Sequence, residues 1–312
     1  MTARDAYDRL ADHHRETAHF GSALALLYWD QRTQIPEQGH AFRAEQVATM
    51  ARLIHARNTS PRLGDELAAA EAAPPAPDPP QAANLREWRR AFDRAVKVPE
   101  DLAVALARAC SRAETAWERA RPANDWAAFL PHLAEVLSLR RQEAAAVGFA
   151  AEPYDALLDV YEPYAATADM APLFAALRPA LVSLLDRIRG ASRRPDPTLL
   201  ARRAAAADQE AFCRQVATAI GYDFAAGRLD RTAHPFATRI APGDVRITTR
   251  FREDNLAEAL FGVVHEAGHA LYEQGLPAAD YGLPTGEAAS LAVHESQSRL
   301  WANVTARSRG LW

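Results

Sequence analysis

His265-Glu266-Ala267-Gly268-His269 sets two imidazoles four residues apart with a carboxylate beside the first. On a helix, residues i and i+4 point from one face, so both histidines can bind a single divalent cation. Glu266 lies about 100° around the helix from His265, which keeps it off the metal and within reach of a water held there. The chemistry of such a set is hydrolysis. Zinc lowers the pKa of the water and polarises a carbonyl, while the glutamate accepts a proton and later returns it to a leaving amine. The competing readings are a chance occurrence and a salt-bridged helix whose histidines sit at the surface. Val263-Val264 argues for a buried helix, in which two histidines and a glutamate need partners.

The flanking residues supply a helix long enough to carry the motif. Asp254 or Asn255 can cap its start and Gly275 its end, which puts the motif in the middle. A zinc site needs a third protein ligand. After a break at Pro284, Thr285 to Trp301 reads as a second helix and offers Glu287, His294 and Glu295. The connector 275–284 is long enough to fold this helix back, and a carboxylate on it would complete a two-histidine, one-glutamate site with an open position for water. Spacing does not choose among the three. His294 also fits a place beside a ligand or facing substrate, and Glu287 a first-turn acid facing the helix dipole.

The elements around this pair are mostly α. Apolar residues recur at spacings of three and four through 47–54, 101–147 and 172–188, the pattern of amphipathic helices that pack on one another. Residues 1–72 read as an N-terminal helical hairpin region, 73–80 as a proline-rich loop, and 81–312 as the helical body, one continuous domain in all. Five prolines in 74–80 predict a solvated connector rather than a helix. The exception to helix lies just before the motif. Around the turn Pro242-Gly243-Asp244, Phe236 to Phe251 alternates Val245, Ile247 and Thr249 with Arg246, Thr248 and Arg250, which predicts a small β-hairpin or edge ribbon. Asp244 and Arg246 lie two apart on one face, where an ion pair or a substrate contact is equally available. A peptide could pair with such an edge in extended form. His234, ahead of Pro235, is an extended-segment histidine.

Composition excludes several classes. Two cysteines, Cys110 and Cys213, cannot build a disulfide framework, which fits a reducing cytoplasm. The charged N-terminal residues lack a signal-peptide core. A net charge of −4 gives no reason to expect nucleic acid. The longest candidate apolar run, Ala23 to Trp29, stops at Asp30, far short of a membrane span.

Four segments in order, His234-Pro235-Phe236, Asp244-Val245-Arg246-Ile247-Thr248, His265 to His269, and His294-Glu295-Ser296-Gln297, resemble the ordered motifs of the Taq-type thermostable metallocarboxypeptidases. Leu27-Tyr28-Trp29-Asp30 with Pro36 resembles the family's opening helices, although Ile35 stands where methionine is usual. The resemblance implies a helical, saddle-like fold with a deep groove, removal of C-terminal residues from peptides with broad specificity, a divalent metal (Zn2+, or Co2+), and a homodimer. It implies His265, His269 and Glu295 as metal ligands, Glu266 as general base, and His234, Asp244, Arg246 and His294 as residues lining the substrate site. Two later family motifs, Ile-Arg-x-x-Ala-Asp and Gly-x-x-Gln-Asp-x-His-Trp, have no counterpart here, and Ala302 replaces the glutamate usual after Leu-Trp. Two other functions follow if those motifs matter: a metal-binding helical scaffold without catalysis, or a peptidase acting on internal bonds.

Overall fold

The computed structural model describes residues 3–72, 79–194, 196 and 203–310. Long alanine- and leucine-rich segments form eight helices in the first part of the chain: α1 (Ala3–Thr33), α2 (His40–Asn58), α3 (Pro61–Glu71), α4 (Pro79–Ala95), α5 (Glu100–Ala123), α6 (Trp126–Val147), α7 (Pro153–Leu158) and α8 (Thr167–Arg189). Their ends follow local chemistry. The Ser60 hydroxyl accepts from the Leu63 N–H at the start of α3, Asp125 does the same for Ala128 at α6, and Asn124 ends α5 in the left-handed conformation (φ 52°). Prolines are less disruptive than the composition suggests. Residues 73–78 lie outside the described residues, but Pro79 and Pro80 belong to α4. They occupy its first positions, where a missing N–H removes no hydrogen bond.

The second part contains α9 (Ala206–Ala219), the strands β1 (Leu229–Arg231), β2 (Ala237–Ala241) and β3 (Asp244–Thr249), then α10 (Leu256–Gln274) and α11 (Leu291–Arg299), which runs on into a π-helical turn, Leu300–Thr305. The predicted hairpin exists as β2 antiparallel to β3. The sheet has a third strand, however, and its order is β1-β3-β2, with β1 parallel to β3. The strand bearing Arg246 is therefore central and has no free edge for a peptide. Both its faces are covered, which is why Thr248 is as buried as Ile247. Thr248 satisfies its hydroxyl on the Phe236 backbone.

Two buried clusters hold the chain together. One joins Leu10 of α1, Leu63 and Leu67 of α3, Leu85 and Trp88 of α4, and Leu283 from the connector before α11. The other surrounds α10 and takes in Cys213, Tyr222, Val245, Ile247, Val263, Val264 and Ala302. Each fully buried Val, Leu or Ile in these clusters contributes about 1.5–3 kcal/mol relative to exposure.

α8 departs from two expectations. It carries a window of mean hydropathy 1.4, long and apolar enough to cross a membrane by length and composition alone. Arg178 and Asp186 interrupt its apolar residues, so no unbroken apolar run marks it in the sequence. Nor does it pack as an amphipathic helix among the described residues: Leu173, Phe174, Leu177, Leu181, Leu184 and Ile188 are all exposed.

Candidate metal centre

α10 begins as its sequence predicts, with the Asn255 side chain accepting from the Glu258 N–H, and ends at Gly275. It packs on α9, β3 and α11. Ala259, Val263, Ala267 and Ala270 are buried, whereas His265 and His269 are half-buried along a cavity of about 600 Å³. α11 is shorter than its sequence pattern suggests. Pro284–Gly286 is an isolated 3-10 turn, and the helix starts at Leu291, where the Ser290 hydroxyl accepts from the Val293 N–H.

Two contacts fix α11 beside α10. Gly268 approaches it so closely that a Cβ there would lie 2.7 Å from Ser298 Cα and 3.0 Å from the Gln297 carbonyl oxygen. The connector before α11 is pinned to the N-terminal helices. Tyr281 donates to the Ala18 carbonyl (3.1 Å), the Thr285 N–H donates to Asn84 Oδ1 (2.9 Å), and Gly282, at φ 79°, passes against Arg15.

The result brings His265, His269 and Glu295 together, with one ligand atom of each within 4.8 Å of the others. Glu295 Oε2 lies 3.6 Å from His265 Nε2 and 3.2 Å from His269 Nε2. Ligands on a tetrahedral ion at zinc–nitrogen and zinc–oxygen distances stand about 3.3 Å apart, so the donor set and spacing fit such a cation. The other carboxylate oxygen, Oε1, accepts from Arg299 at 2.7 Å, and Ser298 donates to Oε2 at 3.1 Å. Among the residues offered by the second helix, Glu287 is placed elsewhere, 3.8 Å from Arg239 and before α11 begins.

Electrostatics suit ligation. Burial lowers the pKa of His265, and burial with the neighbouring imidazoles of His294 and His265 brings His269 down to about 4, so both rings are neutral donors near pH 7. Burial alone would raise Glu295, but the Arg299 hydrogen bond, His265 and Ser298 outweigh it and hold the carboxylate below its usual range. Glu266 is the reverse case. Burial, then the charge of Glu295, pushes it up to about 8, opposed by the Ala237 backbone N–H. Its carboxylate borders the same cavity without belonging to the ligand cluster.

His294 stacks on His269, with both ring nitrogens in hydrogen-bond contact. Its Nδ1 is 2.6 Å from His269 Nδ1, and its Nε2 is 2.8 Å from Glu273 Oε1. His294 also lines the same cavity, as expected, and its ring links His269 to Glu273 in a carboxylate–imidazole–imidazole chain, the kind of outer support that fixes an imidazole's tautomer. Glu273 continues the row of His265 and His269 at another interval of four, so the sequence carries a signal for it. Arg239, itself buried, stands 3.7 Å from Glu273 and donates to the Gly286 carbonyl.

His234 does line the cavity, together with Phe236. Asp244 and Arg246 do not. They form a bidentate pair (2.7 and 2.8 Å), and Arg246 lies 4.3 Å over the ring of Trp29. The segments around Trp29 and Arg246 therefore meet each other, joining α1 to the sheet, rather than meeting the metal site. The cations that do border the cavity are Arg250, Arg299 and Arg307. Arg250 pairs with Glu258 and Arg299 with Glu295, while Arg307, stacked 4.8 Å over Phe261, forms no ion pair among the described residues.

A mostly helical chain with H-E-x-x-H on one helix and a converging glutamate on the next defines a recognisable class of metal-site protein. This chain belongs to the carboxypeptidase Taq (M32) metallopeptidase family, whose model matches residues 9–312. It is 50% identical to thermostable carboxypeptidase 1 of Thermus thermophilus over 324 residues, covering 100% of this chain and 63% of that protein. It is 33% identical to carboxypeptidase 1 of Bacillus subtilis, covering 96% of this chain and 60% of that one. Among solved structures, it superposes on BsuCP with a TM-score of 0.95 at 32% identity, covering 97% of this chain and 61% of the other. For the M32 carboxypeptidase of Deinococcus radiodurans R1 the TM-score is 0.86 at 39% identity, covering 98% and 61%. The chain thus spans less than two thirds of the length of the relatives it matches.

Proposed function

We propose that this chain carries the metal centre and one wall of the groove of a carboxypeptidase that removes C-terminal residues from peptides with broad side-chain tolerance. The observation that supports it best is the convergence of His265, His269 and Glu295 on one point, with a buried glutamate, Glu266, bordering the same cavity. The three ligands would hold a divalent cation, zinc or cobalt, which when bound supplies Lewis acidity to a water and to the scissile carbonyl. Glu266 then takes the proton from the attacking water and delivers it to the leaving amine. The Ala237 N–H favours its charged form. Glu273 and His294 hold the His269 ring in register. Arg307 is the cation best placed to receive the terminal carboxylate, because the other cavity arginines are already committed to glutamates.

The test compares a peptide with its C-terminally amidated twin, both incubated with metal-loaded protein and followed by product mass spectrometry. Sequential loss of terminal residues from the free acid, at least about tenfold faster than from the amide and weakened by Arg307→Ala, is the expected result. Equal internal cleavage of both peptides favours a peptidase of internal bonds. Intact peptides with metal bound favour the scaffold.

Ligand identity has its own measurement. Glu295→Ala should lower bound zinc per chain sharply after dialysis, whereas Glu287→Ala should leave it unchanged, since Glu287 faces Arg239 rather than the histidines. The opposite pattern in elemental analysis would overturn the assignment.

A further inference from the structure

A second cavity, of about 610 Å³, lies across the His234–Phe236 segment from the metal centre, and residues of that segment, His234 and Phe236, border both. Its volume falls within the range of small-molecule and side-chain pockets. The walls are aromatic and aliphatic, from Tyr28, Trp117, Phe129, Leu133 and Phe236. His234 meets the Trp117 ring edge-on at 6.0 Å, so the partition between the cavities is built from side chains in contact.

Three charged groups face this apolar space, and they do not balance. Arg32 is paired with Glu114 and lies 5.0 Å over the Phe236 ring and 5.7 Å over Tyr28. Glu114 also accepts from Gln31, at 3.3 Å. Glu118 borders the same cavity and makes no hydrogen bond or ion pair among the described residues. A carboxylate next to apolar walls with no direct hydrogen-bond or ion-pair partner is a group that a ligand can complete. Burial, then the nearby charge of Glu114, raises the Glu118 pKa against the opposing charge of Arg32, which is itself bound to Glu114.

We propose that this cavity is a side-chain subsite for a lysine or arginine of the bound peptide, whose alkyl stem lies against Trp117, Phe129 and Leu133 and whose cationic tip pairs with Glu118. The chemistry matches on both counts. Long basic side chains bury their methylenes on apolar surface and keep the charge at a polar end, and an acidic or neutral polar side chain would leave Glu118 repelled or unpaired. The subsite rests on the carboxypeptidase reading above only in assuming that a peptide crosses the His234–Phe236 partition, so it selects among substrates rather than performing the reaction.

The test uses metal-loaded wild-type protein, Glu118→Gln, and a set of alanine hexapeptides with free C-termini carrying one lysine, or one norleucine, at each position in turn. Binding is followed by the change in tryptophan fluorescence, with Trp117→Phe identifying the responding ring, and turnover by product mass spectrometry. The expected result is a single lysine position that binds about three- to tenfold tighter than its norleucine counterpart. The gain should shrink at high salt and disappear in Glu118→Gln, while affinity for the norleucine peptides is unchanged. No position with a lysine preference, or a preference that survives Glu118→Gln, overturns the subsite. A Glu118-dependent preference in binding without any turnover keeps the subsite and overturns the activity, so the two readings fail separately.

Discussion

Glu266→Gln should leave metal content unchanged and lower peptide turnover by about two to four orders of magnitude, the range expected for losing a general base. The substitution keeps the size of the side chain and its contact with the Ala237 N–H, and it touches none of the atoms in the ligand cluster. It also has a signature independent of activity. In the metal-free protein, burial raises Glu266 from 4.5 to about 8, so the folded state holds this proton more tightly than the unfolded chain. The stability this proton confers is complete below the unfolded pKa, declines as pH rises, and is lost by the time pH passes the folded value. Glu266→Gln should therefore flatten the fall in melting temperature of the metal-free protein between about pH 5 and pH 8. Turnover retained with metal bound would sink the proposed role.

The second large effect comes from a residue with no side chain. In Gly268→Ala the new Cβ would have to sit 2.7 Å from Ser298 Cα, and since the clash is with backbone, α11 must move. Glu295 moves with it, away from two histidines that stay on α10. Zinc affinity should fall by at least about tenfold, the scale seen when support around a ligand is lost. Intrinsic helix preference works in the opposite direction, since alanine favours a helix over glycine by about 1 kcal/mol. A weaker helix thus cannot explain the loss. Competition with a chromophoric chelator measures it. Unchanged affinity would show that the helix contact does not set the ligand spacing.

How much of this was legible in the sequence depends on distance along the chain. The α10 cap at Asn255, its end at Gly275 and the outward row of His265 and His269 are consequences of local periodicity, and they are where the pattern puts them. The hairpin around Gly243 follows from a turn and alternation in the same way. β1 does not: three residues, Leu229–Arg231, carry too little pattern to mark a strand, and they join the sheet only because β3 pairs with them. Without β1, the strand bearing Arg246 looks like an edge, and Arg246 looks free for substrate. Its actual partners, Asp244 and Trp29, include one more than 200 residues away, a contact that no periodicity encodes. Glu273 shares the four-residue row of His265 and His269, but its partner His294 lies on another helix, so the pattern alone does not assign it a role.

The four motif segments occupy only residues 234–297, which makes them look like a portable cassette. The connector between α10 and α11 denies that independence. It leans on Arg15, Ala18 and Asn84, so Glu295 takes its position from helices some 200 residues earlier in the chain. Grafting the segment into another scaffold would transfer the two histidines and leave the glutamate without an anchor. Assembly has the same dependence: a tight metal centre becomes available only after α1, α3 and α4 have closed on Leu283, so uptake of the ion reports that these helices and the α10–α11 segment have met.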